Sequence, residues 1–155
     1  MRVLKSLALA TSLAAIAATS AMGEENHRWK MAGGMPSTVA VVGDDQMRSI
    51  QLIEEATSGT VDIRFFEPGA LVPALEVFDA VSKGAVDMGF QSAAYISGKI
   101  TAASLFPGYP FGPDRDEWYA WYNHGGGREL HEELYAPYDV YPIMCATFPL
   151  EAAGW

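Results

Sequence analysis

The chain has 155 residues, 50% of them hydrophobic, with ten basic and nineteen acidic side chains and a formal net charge of -9. This acidity, with no basic cluster beyond the N-terminus, argues against nucleic acid and anionic membrane surfaces as partners. The single cysteine, Cys145, excludes an intrachain disulfide. Its apolar surroundings, from Tyr141 to Phe148, predict a buried thiol rather than a nucleophile.

The N-terminus has the pattern of an export signal. Arg2 and Lys5 form a positive segment, and the apolar run from Leu7 to Ala18 is followed by small residues. The run is shorter than the ~20 residues that span a bilayer, and no later apolar segment approaches that length. We therefore expect residues 1–23 to be a signal peptide, residues 24–155 to be exported to the periplasm, and no direct membrane span.

Apolar periodicity predicts alternating strands and helices in the first part of the chain. In order, the predicted elements are a strand at Trp29–Ala32, a helix at about Gln46–Thr57, a strand at Thr60–Phe66, a helix that begins near Pro73 and is ended by Gly84, and a strand at Ala85–Phe90. Asp44 or Asp45 is expected to cap the first helix, and Gly59 to end it. The apolar faces are expected to hold Ile50, Ile53 and Met47 on the first helix, and Leu75, Phe78 and Val81 on the second.

The second part of the chain begins with an irregular, proline-rich loop at Phe106–Pro113. Asp114 then caps a predicted helix whose Trp118, Trp121 and Tyr122 recur at helical spacing, which favours core packing. Glycines separate it from a second helix, Arg128–Tyr135, and Val140–Thr147 is predicted as a buried strand. The overall pattern predicts an α/β fold with a mostly parallel sheet flanked by helices.

Four sequence blocks, in the same order, resemble the periplasmic solute-binding subunits of TRAP transporters, the DctP-like family. The most specific is Gly69–Gly84, which is close to the family's "GELVPALQVFDAVSQG". The others are Ser58–Ile63, Val86–Gly89 and the glycine- and aromatic-rich segment from Pro110 to Tyr135. The resemblance covers about Trp29 to Trp155 and implies a periplasmic-binding-protein-like lobe, the N-terminal portion of an incomplete two-lobed clamp.

The similarity is greatest to the subgroup that binds 2-oxo acids and related monocarboxylates. It implies capture of a small organic acid (a 2-oxo acid, hydroxy acid or dicarboxylate) for TRAP membrane permease subunits, without catalysis. No cofactor is implied except a sodium or calcium ion that accompanies the ligand in some members. The family's "QMGGW" segment matches Glu151 to Trp155, which makes Trp155 a candidate ligand contact and Glu151 a candidate metal ligand. Glu151 stands where the family has glutamine, and a carboxylate there favours a cation.

Independently of the resemblance, the strand order selects further candidate ligand-binding residues. Ligands of open α/β sheets lie outside the carboxyl ends of the strands. This rule selects Phe66, with Glu67 beside it, after one predicted strand, and Gln91 and Ser92 after the next. Tyr95 follows within reach of the same crevice, and either ligand contact or packing with an exposed hydroxyl fits its amphipathic ring.

Two other functions fit an exported α/β chain. A small enzyme could use Cys145 or His131, although no nucleophile, base and orienting group occur together on loops. A sensory ligand-binding domain would need a membrane span or a docking surface. In the resembling family, the arginine that pairs with the ligand carboxylate lies downstream of the matched tryptophan. We therefore expect this chain to be the N-terminal piece of a longer two-domain protein, and expect that it alone binds its acid very weakly or not at all.

Overall fold

The computed structural model describes residues 26–108 and 111–145. Its main elements, in chain order, are β1 (His27–Gly33), α1 (Val42–Ala56), β2 (Val61–Phe66), α2 (Val77–Ser82), β3 (Met88–Phe90), α3 (Arg115–His124) and α4 (Gly127–Tyr135). Short 3₁₀ helices lie at Ala74–Glu76, Ala93–Ile96, Thr101–Leu105 and Ala136–Tyr138. The predicted signal peptide, residues 1–23, lies outside the described residues. None of the helices within the described ranges is long and apolar enough to cross a membrane.

The three strands form one parallel sheet in the order β2-β1-β3. The central strand β1 pairs along its length with β2, from His27 opposite Val61 to Ala32 opposite Phe66. It pairs with the shorter β3 only near its end, where Gly33 lies opposite Phe90. The α/β class and the parallel sheet predicted from the sequence are therefore confirmed.

Helices cover both faces of this sheet, because alternate residues of each strand point to opposite sides. On one face Met31 of β1 packs with Ile63 of β2 and with Ile50 of α1. On the other face Ala32 packs with Val77 of α2, which is fully buried. This arrangement fixes the direction of each strand and brings all three carboxyl ends to one edge.

An aromatic cluster forms a further core beside the sheet, between the 3₁₀ helices and the pair α3–α4. The Asp114 side chain accepts a hydrogen bond from Glu117 N–H at 2.9 Å, and the Glu117 carboxylate accepts one from Asp114 N–H, so the predicted cap of α3 is confirmed as a capping box. Trp118 and Tyr122 are buried as expected, and their rings stack. Trp121 is 37% exposed and lies at the rim of the cluster.

The predicted start of α1 is wrong. The helix begins at Val42 rather than Gln46, so Asp44 and Asp45 lie in its first turn and do not cap it. Carboxylates are favourable there because the N-terminal end of a helix carries partial positive charge. The predicted end is confirmed: Gly59 has a positive φ of 80°, and its N–H donates to the Glu54 carbonyl.

The second helix and the last two predicted strands also differ from the prediction. Chain 73–82 starts as a 3₁₀ turn and becomes α-helical only at Val77, which turns Leu75 to solvent with 69% exposure. The strand predicted at 85–90 is confined to Met88–Phe90. Just before it, the Asp87 side chain accepts a hydrogen bond from Lys30 N–H and replaces a ladder bond.

The strand predicted at Val140–Thr147 is not formed in its described part, residues 140–145. Cys145 is exposed, contrary to the predicted buried thiol, because this segment runs along the surface instead of entering the sheet. Positions 146 and 147 lie outside the described residues.

Candidate functional site

The carboxyl ends of the three parallel strands lie side by side and define the candidate site. We call this surface the carboxyl edge. It consists of the last residue of each strand and the residues that follow it: Gly33–Gly34 at the end of β1, Phe66–Glu67 at the end of β2, and Phe90–Ser92 at the end of β3. The Gly34 N–H donates to the Phe90 carbonyl at 2.7 Å, which extends the β1–β3 pairing one residue beyond the strands. Residues that lie far apart in the chain thus meet at one edge, as in other open α/β sheets.

A glycine at position 34 permits the close approach of Gln91. A Cβ atom at Gly34 would lie 2.7 Å from the Gln91 Cβ and 3.2 Å from the Phe90 carbonyl oxygen. At 2.7 Å the added Cβ would collide with the Gln91 Cβ, so one of the two residues would have to move. The stem of Gln91 therefore rests directly on the β1 backbone, which orients this side chain at the edge.

The Gln91 side chain holds an unpaired hydrogen-bond acceptor at the carboxyl edge. The residue is half-buried, and its Oε1 is buried without a hydrogen-bond partner in the part of the chain that the structure describes. Buried polar atoms of native proteins are nearly always paired with protein, water or ligand. Gln91, which the sequence predicted as a ligand contact, thus carries a buried acceptor that has no hydrogen bond from the described residues.

The end of β2 is tied to the loop that follows β1. The Ser37 hydroxyl donates to Glu67 Oε1 at 2.5 Å, and the Ser37 N–H donates to Glu67 Oε2 at 3.2 Å. Both carboxylate oxygens accept a hydrogen bond, so Glu67 is held in one orientation. The pair closes one side of the carboxyl edge and fixes the approach to α1.

Phe66 provides an apolar surface at the same edge. It is half-buried, and the Arg64 guanidinium lies over its ring, 4.9 Å from the centroid. A cation over an aromatic face is attractive and limits the ring's rotation. Phe66 thereby offers an oriented ring beside the polar groups.

Ser92 and Tyr95 lie on the turn that leaves β3. The Ser92 Oγ accepts a hydrogen bond from Ala94 N–H at 3.3 Å and caps the 3₁₀ helix Ala93–Ile96. Tyr95, inside that helix, is 39% exposed. Both follow Gln91 closely in the chain, with Ser92 engaged in capping and the Tyr95 ring partly open to solvent.

The two remaining predicted residues, Glu151 and Trp155, lie outside the described residues. Within residues 26–108 and 111–145, no three His, Cys, Asp or Glu side chains gather in a group that could hold a metal ion. The described carboxylate at the edge, Glu67, already accepts two hydrogen bonds from Ser37. Among the described residues, the carboxyl edge therefore has no cluster of acidic or histidine side chains that could hold a metal ion.

Two features away from the edge offer no comparable site. His131 is buried, with its Nδ1 3.0 Å from the Tyr122 hydroxyl, and burial lowers its pKa to about 4, while Cys145 is exposed on a separate segment. They do not form a nucleophile–base pair. A wide depression along α4 is lined by acidic groups including Glu129, Glu133 and Asp139, which would repel an anionic ligand.

The pairing of Glu67 with Ser37 was not predicted from the sequence. The two residues face each other across a 30-residue separation, so their contact could not be inferred from spacing. The glycine pair Gly33–Gly34, directly after a strand, was the available signal that this edge is crowded, because such glycines mark a close backbone approach.

Comparison with known proteins identifies the family of this chain. The sequence model of the family described as "DctP: Bacterial extracellular solute-binding protein, family 7" matches residues 43–141. A monocarboxylate 2-oxoacid-binding periplasmic protein of Nostoc sp. (strain PCC 7120) is 32% identical over 161 aligned residues, which cover 99% of this chain and 44% of that protein.

Two similar crystal structures are TRAP periplasmic solute-binding proteins with pyruvate bound. The protein from Pseudoalteromonas atlantica T6c, with sodium and pyruvate, is 31% identical with a TM-score of 0.72. The protein from Colwellia psychrerythraea, with calcium and pyruvate, is 30% identical with a TM-score of 0.72. Each match covers 76% of this chain and 36% of the other protein, so the chain spans less than half the length of these relatives. The chain therefore belongs to the DctP family of bacterial extracellular solute-binding proteins.

Proposed function

We propose that this chain is the N-terminal portion of an extracytoplasmic solute-binding subunit that captures a small organic acid for a TRAP-type membrane permease. The ligand class is a 2-oxo acid, hydroxy acid or dicarboxylate. Family membership and the pyruvate-bound relatives support this class. Export by a signal peptide at residues 1–23 and a periplasmic location for residues 24–155 belong to the same proposal.

The observation that carries the proposal is the unpaired Oε1 acceptor of Gln91, at the same carboxyl edge as the oriented ring of Phe66. A carboxamide can donate through Nε2 to a ligand oxygen and accept through Oε1 from a ligand hydroxyl. Ser92 and Tyr95 supply hydroxyl groups next to it. Trp155 is proposed to complete the contacts, and Glu151 to hold a sodium or calcium ion with the ligand.

The proposed mechanism is capture without chemistry. In a two-lobed clamp the ligand contacts both lobes only in the closed state, so binding shifts the population toward closure. The closed form would then dock on the permease. The carboxyl edge supplies one wall of such a clamp, and a single wall gives only part of the contacts that hold the ligand.

An exported enzyme is the less favoured function. His131 pairs with Tyr122 inside the aromatic cluster, and Cys145 lies exposed with its thiol 3.6 Å from the Ile143 carbonyl. A catalytic role requires these groups within reach of one reacting atom. A sensory domain of the same fold is distinguishable by its partner, since it would act without a permease.

The test is a titration of the ¹⁵N-labelled chain with pyruvate, followed by NMR shifts of the backbone amides. We expect weak, millimolar binding with shifts concentrated at residues 33–34, 66–67 and 90–95, because one lobe provides part of the site. Acetone, which keeps the ketone and lacks the carboxylate, is the control and should cause no such pattern. Shifts confined to other surfaces, or an equal response to acetone, would contradict the proposal.

A further inference from the structure

A second glutamine near the carboxyl edge is fully buried without a partner. Gln46 of α1 is 1% exposed, and neither its Nε2 nor its Oε1 has a hydrogen-bond partner within the described residues. The carboxamide has two donors and two acceptor lone pairs, all of which water would satisfy in an exposed position. An apolar side chain of similar volume would avoid the free-energy cost of removing the amide from water. The buried amide therefore lowers the stability of the folded chain.

The helix directs this side chain toward the carboxyl edge. Gln46 shares a helical stripe with Ile50 and Ile53, which pack on the sheet face formed by β1 and β2. It is the member of that stripe nearest the N-terminal end of α1. Long helical side chains lean toward the N-terminus, so the carboxamide extends in that direction.

The N-terminal end of α1 is anchored at the carboxyl edge. Gly43, in its first turn, packs so closely on the loop after β1 that a Cβ there would lie 2.1 Å from the Ser37 carbonyl oxygen. Ser37 in turn donates to Glu67 directly after β2. The N-terminal part of α1, which carries Gln46, therefore adjoins the same edge as Gln91 and Phe66.

A strained turn lies immediately before α1. Val41 has φ 68° and ψ -63°, and the Val42 N–H donates to the Ala40 carbonyl at 2.9 Å, which makes a γ-turn centred on Val41. A β-branched residue at positive φ is sterically unfavourable. Strain of this kind is concentrated at ligand clamps and switch regions. This turn is thus the strained point of the α1 entry.

The helix end itself is not an anion site. The first-turn N–H groups of Val42, Gly43 and Asp45 already donate to carbonyls of residues 39–41. Asp44 and Asp45 add negative charge there, which disfavours a carboxylate ligand. The unpaired group available at this place is the Gln46 carboxamide.

We propose that Gln46 is a ligand-binding residue of the carboxyl edge: when the site is occupied, the turn at Val41 shifts and the Gln46 carboxamide hydrogen-bonds the oxo or hydroxyl oxygen of the organic acid. The inference rests on the proposed function. It adds Gln46 to the residues that contact the ligand, and the oxo or hydroxyl oxygen to the ligand groups that are bound. It predicts opposite effects on stability and on binding when the amide is replaced, because the amide is unsatisfied in the free protein and satisfied in the complex.

The test compares Gln46→Met with Gln51→Met in the chain, using urea unfolding and the pyruvate titration by NMR. Gln51 is an exposed glutamine of the same helix and the matched control. We expect Gln46→Met to raise the urea midpoint and to weaken pyruvate binding about tenfold. Gln51→Met should change neither. The side-chain NH₂ signals of Gln46, identified by their loss in Gln46→Met, should shift with pyruvate in the wild type.

The other outcomes overturn the inference in separable ways. If Gln46→Met raises the urea midpoint but leaves pyruvate binding unchanged, the amide is a buried polar group with no ligand role. A lowered midpoint would mean that Gln46 has a partner in the free protein. Absence of pyruvate shifts in the wild-type chain would instead overturn the carboxyl edge as the ligand-binding surface of the proposed function, and the Gln46 role with it.

Discussion

The buried His131 predicts that this chain loses stability at mildly acid pH. The ring is 6% exposed, stacks on Phe106 with 4.1 Å between centroids, and meets the edge of Tyr135 at 4.7 Å. One ring nitrogen shares a hydrogen bond with the Tyr122 hydroxyl. Burial lowers the pKa of His131 from 6.5 to about 4, partly offset by the nearby Glu132 carboxylate.

The direction and size of this stability change follow from proton linkage. The unfolded chain takes up a proton on His131 as the pH falls below 6.5, whereas the folded chain does so only near its pKa of about 4. The stability conferred by the neutral, buried ring is therefore fully present above pH 6.5 and is lost as the pH falls through this window. Between about pH 7.5 and about pH 5 the expected loss is about 2 kcal/mol.

Urea unfolding of the chain at the two pH values measures this loss. With about 1–3 kcal/mol per molar urea for a small protein, the midpoint should fall by roughly 1 M. His131→Gln, which keeps a polar group opposite Tyr122 and does not titrate, should remove most of the fall. His124→Gln, at an exposed position of α3, is the control and should retain it. An equal fall in wild type and His131→Gln would refute the reasoning.

Three further substitutions test the fold and the site. Asp114→Ala should destabilise the chain by about 1 kcal/mol because α3 loses its capping box, measured by urea unfolding; a change below about 0.3 kcal/mol would contradict that role. Gly34→Ala should destabilise the chain by about 1–3 kcal/mol and abolish the pyruvate shifts at Gln91, because the added Cβ would collide with the Gln91 side chain. Gly98→Ala is the control and should be close to neutral, because Gly98 has open space around it. Phe78→Ala should cost about 3–5 kcal/mol and Leu75→Ala less than about 0.5 kcal/mol, because Phe78 is 4% and Leu75 69% exposed; similar losses would place Leu75 in the core after all.

The periodicity of the chain predicted the order of elements but not their ends. Short apolar runs identified β1, β2 and α1, since each alternates or repeats with one period. The strand predicted at Val140–Thr147 failed because a run of apolar residues does not reveal whether a sheet edge is available to pair with it. At Leu75 the failure was a matter of helix type, because a 3₁₀ turn of three residues rotates the side chain away from the face that an α-helix would give it.

For the site, the rule that ligands lie outside the carboxyl ends of strands selected Gln91 and Phe66. Applying this rule needs only the predicted positions of the strands in the sequence. The contact between Ser37 and Glu67 needed the fold, since a serine and a glutamate 30 residues apart carry no joint signal. Gln46 was hidden for a different reason. The expected apolar face of α1 included Met47, yet Met47 is 37% exposed and the polar Gln46 is buried beside Ile50. A search for apolar periodicity passes over a polar residue on the buried face of a helix. A functional polar group at such a position is therefore not predicted.

The aromatic cluster and the carboxyl edge are joined through one small residue. Ala93, which directly follows Ser92, packs against both the Phe78–Tyr135 core and the Phe106–Trp118 cluster. The 3₁₀ helix that carries Tyr95 therefore packs on two cores, while the residue that caps it, Ser92, belongs to the carboxyl edge. Because packed cores deform little, this seat holds the turn after β3 in place without any contact from a ligand. The entry to α1 has the opposite character, with a strained turn at Val41 and an unpaired amide. In the proposed binding role, the turn after β3 is thus the rigid side of the carboxyl edge, and the strained turn at Val41 is the side whose position the Gln46 proposal requires to change.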